Sequence, residues 1–218
     1  TNQVTHNAPA GTTCVESITT GDGDDVLVVE NGMTLPGIFD GGKGQNHLDL
    51  SAVQGNIQAH LTGLGSEVGF NGTSNVVHEF RNVTQITAGA GHDTLQGEDA
   101  NAVWTVAAGQ YTAEGRTLTY ANFENLTGGA GDDRFVFANG AVVAGMVAGG
   151  AGTDTLDYSG YGQAVTVNLA AGTATATGGI ADMDALIGSA QDDTLIGAND
   201  ANDWQVTGPN AGAVDGFT

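Results

Sequence analysis

The sequence predicts an all-β protein, a parallel β-solenoid (β-helix or β-roll) of about ten rungs with about 20 residues in each. Two observations predict this fold. Glycine-rich turns recur at one or two multiples of about 20 residues, and the segments between them alternate apolar and polar residues as strands do. A β-sandwich of immunoglobulin type is the competing fold, but it gives no reason for the 20-residue spacing.

The chain contains two copies of a unit of about one hundred residues. Residues 20–32 (TGDGDDVLVVENG) match residues 128–140 (GGAGDDRFVFANG) at an offset of 108 positions. The later part of each copy aligns at an offset of 100, because GAGHDTLQG at residues 89–97 matches SAQDDTLIG at residues 189–197. Internal repetition of this kind is typical of proteins built by stacking similar units.

These offsets predict the domain organisation. We expect an N-terminal lead-in at residues 1–12, a first repeat unit at residues 13–120 and a second at residues 121–218. The second unit stops just before the counterpart of FENL at residues 123–126, so we expect a third copy in a longer parent protein.

The composition is strongly acidic, with 25 Asp and Glu against 4 Lys and Arg and a formal net charge of -21. This charge repels nucleic acid and anionic membranes, so we expect no nucleic-acid partner and no membrane insertion. The carboxylates recur beside glycines, as in GDGDD, GAGDD and GAGTD, where calcium could find oxygen ligands. Cys14 is the only cysteine, which excludes an internal disulfide and leaves an unpaired buried thiol as the simplest reading.

The glycine turns resemble the calcium-binding nonapeptide of RTX (repeats-in-toxin) proteins, G-G-x-G-x-D-x-apolar-x. GGAGTDTLDYS, GAGDDRFVF and GAGHDTLQG carry the resemblance. It implies that backbone carbonyls and the Asp carboxylate hold calcium between successive coils, and that the next apolar residue fills the core. The implied calcium-site residues are Gly21, Gly23, Asp25, Gly42, Gly44, Asn46, Gly89, Gly91, Asp93, Gly129, Gly131, Asp133, Gly150, Gly152, Asp154 and Asp193. The implied core residues are Leu27, Leu95, Phe135, Leu156 and Leu195.

Two of the six turns depart from the motif. The turn at residues 41–46 has Asn46 in place of Asp and also contains Lys43, and the turn at residues 188–193 has Gln191 near the place of its second glycine. For every turn an alternative remains, in which Asp or Asn only caps the backbone and glycine provides a positive φ without any metal.

Trp104 and Trp204 occupy equivalent positions in the two units. A sugar-stacking platform is conceivable, but we interpret both as core packing.

The predicted function is a calcium-binding structural module, a rigid spacer in a large bacterial adhesin-like protein of the kind used in cell adhesion and biofilms. It is not expected to be an enzyme. The RTX resemblance implies export by type I secretion to the cell surface or medium. Expected partners are calcium, adjacent repeat units of the parent chain, and cell-surface or matrix polysaccharide.

The alternative is a carbohydrate-active β-helix enzyme or its calcium-binding accessory module. A lyase acting on acidic sugars would need clustered cations, whereas Lys43, Arg81, Arg116 and Arg134 are scattered along the sequence.

Overall fold

The computed structural model describes residues 2–6, 16–198, 204–208 and 211–214, with side chains described for residues 16–198. Within them the chain forms 24 β-strands and one short 3-10 helix, Val106–Ala108. The first strands are β1 Asn2–His6, β2 Ser17–Thr19, β3 Asp25–Val29, β4 Leu35–Asp40, β5 His47–Asp49, β6 Gln58–Leu64, β7 Phe70–Ser74, β8 Val77–Val83, β9 Gln85–Thr87, β10 Thr94–Gln96, β11 Ala102–Thr105 and β12 Gln110–Ala113. The others are β13 Arg116–Ala121, β14 Asn125–Gly129, β15 Arg134–Ala138, β16 Val143–Gly150, β17 Thr155–Gly160, β18 Thr166–Asn168, β19 Thr173–Ala174, β20 Thr177–Ala181, β21 Ala185–Ile187, β22 Thr194–Ile196, β23 Trp204–Gly208 and β24 Ala211–Val214. No helix in these ranges is long and apolar enough to cross a membrane.

Two large sheets contain most of the strands. One has ten strands in the order β1-β3-β5-β9-β13-β12-β11-β15-β17-β21, and the other has nine in the order β2-β4-β8-β7-β6-β10-β14-β16-β20. A three-stranded sheet, β19-β18-β22, and the hairpin β23-β24 complete the described structure. The chain crosses repeatedly between the two large sheets, and we call one passage through both sheets a coil. Strands from successive coils pair in parallel, so that Leu27 lies opposite Leu48.

The predicted β-rich content agrees with this structure, but the predicted parallel solenoid of about ten rungs is wrong, because both large sheets mix parallel and antiparallel pairs. Residues 58–83 fold into the antiparallel meander β6-β7-β8, and residues 102–121 fold into a second one, β11-β12-β13. Glu114 and Gly115 form the tight turn of the second meander, with φ angles of 48° and 79°. Positive φ at both central residues is the requirement of a type I′ hairpin. A regular 20-residue period would divide these two segments into additional rungs. They are instead inserted antiparallel hairpins.

The core lies between the two large sheets and is filled by alternate residues of the strands. The apolar residues that follow four of the motif aspartates are fully buried, and Leu195 is partly buried against the same core. The four buried ones are Leu27, Leu95, Phe135 and Leu156. The side chain of Trp104 is fully buried, as core packing predicts, and stacks on Phe135 with 5.5 Å between ring centroids. Cys14 lies outside the described residues, and the Trp204 side chain lies outside the described side chains.

Replacing Leu156 by Ala tests this core directly. Because the side chain is 0% exposed, we expect the free energy of unfolding to fall by about 2–5 kcal/mol in urea denaturation followed by circular dichroism. Val142→Ala is the control, since Val142 is 68% exposed and its loss should change stability by less than about 0.5 kcal/mol. Equal losses in the two variants would contradict the packing described.

Candidate calcium site in the stacked glycine turns

The six glycine turns lie on two opposite edges of the sheet pair. Four of them lie on the first edge, where the chain passes from the nine-stranded sheet into the ten-stranded sheet. The other two lie on the second edge, where the chain leaves the ten-stranded sheet. Named by their first residues, the first-edge turns are turn 20 (residues 20–25), turn 41 (41–46), turn 128 (128–133) and turn 149 (149–154), and the second-edge turns are turn 88 (88–93) and turn 188 (188–193).

Turns 128 and 149 lie directly against each other in successive coils. The N–H of Ala151 donates to the carbonyl oxygen of Gly129 at 3.0 Å. Gly152 has a φ of +127°, and a Cβ there would overlap the carbonyl oxygen of Gly131 in the neighbouring turn. Glycine is therefore required at this position both for its conformation and for the close approach of the two backbones.

Turns 20 and 41 repeat this arrangement at the sequence offset of 108. The N–H of Gln45 donates to Oδ1 of Asp24 at 2.8 Å. In the second pair, the N–H of Thr153 donates to Oδ1 of Asp132, also at 2.8 Å. The repeat found in the sequence is thus present in the hydrogen bonds that join the coils.

In five of the six turns, the sixth residue points towards the interior. These five residues are at most 2% exposed; they are Asp25, Asn46, Asp93, Asp133 and Asp154. Asp193, at the end of turn 188, is exposed. Turn 188, which departs from the motif in its sequence, therefore also differs from the other turns in its more open surroundings.

Each of three buried side chains uses one oxygen to accept a backbone N–H from the preceding coil. Asp93 Oδ1 accepts from Ile57 at 2.6 Å, and Asp154 Oδ1 accepts from Asp133 at 2.8 Å. Asn46 Oδ1 accepts from Asp25 at 3.3 Å. The backbone-capping role that the sequence leaves open as an alternative is therefore present, and it occupies one terminal oxygen of each side chain.

One carboxylate oxygen has no hydrogen-bond partner at three of the five buried positions. The atoms are Asp93 Oδ2, Asp133 Oδ1 and Asp154 Oδ2, and all three are buried. Burying a polar atom without a partner is unfavourable, and more so when the group carries charge. Each of these oxygens therefore calls for a proton, a cation or a bound water molecule.

The pKa values of the same carboxyl groups reflect that need. Burial raises the pKa of Asp133 to about 7, and the nearby Asp154 carboxylate adds to the rise, although the N–H of Gly129, which donates to Oδ2 at 2.9 Å, opposes it. Burial likewise raises the pKa of Asp154, with Asp184 contributing. Metal-free protein would hold part of this acidic edge in the protonated form near neutral pH.

Two acidic residues outside the glycine turns belong to the same network, and the sequence analysis did not find them. The N–H of Asp154 donates to Oδ2 of Asp184 at 2.8 Å, and the N–H of Asp93 donates to Oε2 of Glu124 at 2.8 Å. Both acceptors lie in short corners without the glycine motif. Their only sequence signal is a single acidic residue between two strands, which is too common to identify a site.

The arrangement can accept calcium only if backbone carbonyls take part. In the part of the chain that the structure describes, no group of three or more His, Cys, Asp and Glu side chains is placed to hold a metal ion. Calcium, however, readily takes backbone carbonyl ligands together with one or two carboxylates. The stacked carbonyls and the unpartnered, buried oxygens of Asp133 and Asp154 fit that kind of site.

The fold and the turns define a β-rich protein whose coils are joined at their corners by stacked, acidic glycine turns. Comparisons of the chain with protein-family models, with curated proteins and with solved structures find no match. The resemblance of the turn residues to RTX repeats therefore stays a prediction from the sequence.

Because turns 128 and 149 approach each other closely, one methyl group added at Gly152 should lower the stability of the fold strongly. Gly152→Ala should lower the free energy of unfolding by well over about 1 kcal/mol, because it adds a backbone overlap to the conformational strain. Gly140→Ala is the matched control, since Gly140 has a φ of +85° and open space around it. Both variants are measured by urea denaturation. An equal loss of unfolding free energy in the two would refute this packing.

The raised pKa of Asp133 predicts a pH dependence of the calcium-free protein. Between about pH 4, where an unfolded Asp titrates, and pH 7, the folded chain binds the extra proton. Stability from this group is therefore complete at low pH and is lost as the pH rises through about 7. From pH 5.5 to 8 we expect the wild type to lose about 1 kcal/mol or more relative to Asp133→Asn.

Comparison with the variant is needed because His47, whose pKa is lowered by burial, acts in the opposite direction below the ordinary histidine pKa of about 6.5. Urea denaturation at several pH values in calcium-free buffer measures the difference between the two proteins. A difference that does not change with pH would contradict a proton at Asp133.

Proposed function

We propose that this chain is a calcium-binding structural module, a spacer segment of a large secreted or cell-surface bacterial protein of the adhesin type. The observation that carries the proposal is the pair of buried carboxylates, Asp133 and Asp154, each with an oxygen that has no hydrogen-bond partner. They lie in adjacent coils, and the amide of one donates to the carboxylate of the other. A cation bound beside them would neutralise both charges and tie the coils together.

Calcium is the cation that this chemistry favours. The available ligands are carboxylate and carbonyl oxygens, which are hard ligands held in irregular geometry, and calcium accepts such geometry more readily than magnesium does. Extracellular calcium modules typically bind with dissociation constants of about 0.1–1 mM. Such sites would be empty in the cytosol and filled outside the cell, so folding would be completed after export, for which type I secretion is the proposed route.

The four cationic side chains support a structural role over an enzyme that acts on acidic sugars. Lys43 lies 3.6 Å from Asp22, and Arg134 pairs with the buried Asp157 at 2.5 Å. Arg81 pairs with Glu79, and Arg116 donates to the carbonyl oxygens of Gly65 and Gly69. Every Lys and Arg of the chain thus has an internal partner, and they form no common anion-binding cluster. The partners we propose are calcium and the neighbouring repeat units of a longer chain.

Calcium should raise the melting temperature of the fragment. If several sites with millimolar affinity are filled at about 10 mM calcium, each contributes about 1 kcal/mol or more, and the melting temperature should rise by about 5–15 °C relative to protein in EGTA. Thermal melting followed by circular dichroism across a calcium titration measures this rise, with magnesium as the control cation. Identical melts in EGTA and calcium would refute the proposed function and leave the aspartates as backbone caps.

A further inference from the structure

Turns 41 and 149 are equivalent positions of the two repeats and provide an internal comparison. Asn46 and Asp154 are related by the offset of 108, and both are 0% exposed. In each, Oδ1 accepts the N–H of the sixth residue of the preceding turn, from Asp25 or from Asp133. The two side chains therefore occupy the same place with the same orientation.

The second terminal atom of each side chain differs in its hydrogen bonding. Asn46 Nδ2 donates to the carbonyl oxygen of Gly42 at 3.2 Å and to that of Asn82 at 2.9 Å. In this way the amide satisfies one carbonyl of its own turn and one of the next coil. All the polar atoms of the Asn46 side chain are thus hydrogen-bonded.

At the equivalent place in turn 149, the corresponding atom is Asp154 Oδ2, which cannot donate when ionised and has no partner. A Cβ on Gly149 would overlap both this oxygen and the carbonyl oxygen of Asp182, so the two oxygens converge on one region. Asp182 and Asn82 present their carbonyls in the same way, since both residues have a left-handed backbone with φ angles of 52° and 56°. Oxygens therefore meet in turn 149 where turn 41 has a nitrogen donor between them.

We propose that calcium binds at turn 149 in the position that the side-chain nitrogen of Asn46 fills in turn 41. Its ligands are Asp154 Oδ2 and the carbonyl oxygens of Gly150 and Asp182, the counterparts of the two acceptors of Asn46. Turn 41 binds no ion, because its amide already satisfies these carbonyls. This inference rests on the proposed calcium function, and it replaces the expectation from the sequence that Gly42, Gly44 and Asn46 hold calcium.

The exchange of one atom for another is directly testable in the whole fragment. We would count bound calcium by equilibrium dialysis for the wild type, Asp154→Asn and Asn46→Asp, with Asp192→Asn as a control, because Asp192 is exposed in turn 188 on the second edge. Asp154→Asn should bind one calcium ion fewer, Asn46→Asp one more, and Asp192→Asn the same number as the wild type. These shifts follow only if an amide nitrogen and the ion compete for one position.

Melting in EGTA gives a second readout. Asp154→Asn should melt several degrees higher than the wild type, because the new amide can donate to the carbonyls of Gly150 and Asp182. Asn46→Asp should melt lower in EGTA and recover in calcium. Failure of Asp154→Asn to fold would count against the inference, since the amide is expected to satisfy the turn.

The results separate the two proposals. If the wild type binds calcium and Asp154→Asn binds the same number of ions, the assignment of the site is overturned but the calcium function is retained. A gain of no ion in Asn46→Asp likewise overturns the assignment. A wild type that binds no calcium overturns both proposals.

Discussion

The structure depends on one requirement at the corners of its coils. Where the chain turns from one large sheet to the other, a backbone N–H of one coil points at the next coil and needs an acceptor there, because few buried amides are left unpaired in folded proteins. The sixth residue of the glycine turn meets this need from the inside, as Asp154 does for Asp133. Within the glycine turns a short Asp or Asn side chain supplies the terminal oxygen, whereas Glu124 supplies it from a corner without the motif. Glycine is required beside the short side chain for the backbones to approach.

The choice between Asp and Asn then determines the charge of each corner. Asn46 caps the corner and also donates with its second atom, so its turn is satisfied by the protein alone. Asp154 accepts an N–H of the preceding coil and Asp133 accepts the N–H of Gly129 in its own turn, and each leaves one buried oxygen without a partner. The exchange of Asn for Asp thus distinguishes two kinds of corner. In one kind the chain itself satisfies the polar atoms of the side chain, and in the other a buried oxygen is left without a partner.

The sequence was sufficient to predict the repeat, the turns and the core residues beside them, because each of these depends on local spacing. Leu27 and Phe135 are buried where the turn pattern predicts. It was insufficient for the direction of strand pairing, since alternation of apolar and polar residues is the same in parallel and antiparallel strands. The turn of the second meander is recognised from the positive φ angles of Glu114 and Gly115, which the sequence does not contain. Asp184 and Glu124 were missed because their contacts depend on which coils become neighbours.

The two edges differ in how their acidic turns are placed. On the first edge, turns 128 and 149 follow each other in adjacent coils, so their carboxylates lie in one row that continues to Asp184. On the second edge, turn 88 is flanked by corners without the glycine motif, and the carboxylate beside Asp93 is that of Glu124. The density of carboxylates that a cation could neutralise is therefore greatest along the first edge of the second repeat. Stability gained from calcium should accordingly be concentrated there, while the first repeat relies more on the neutral amide of Asn46.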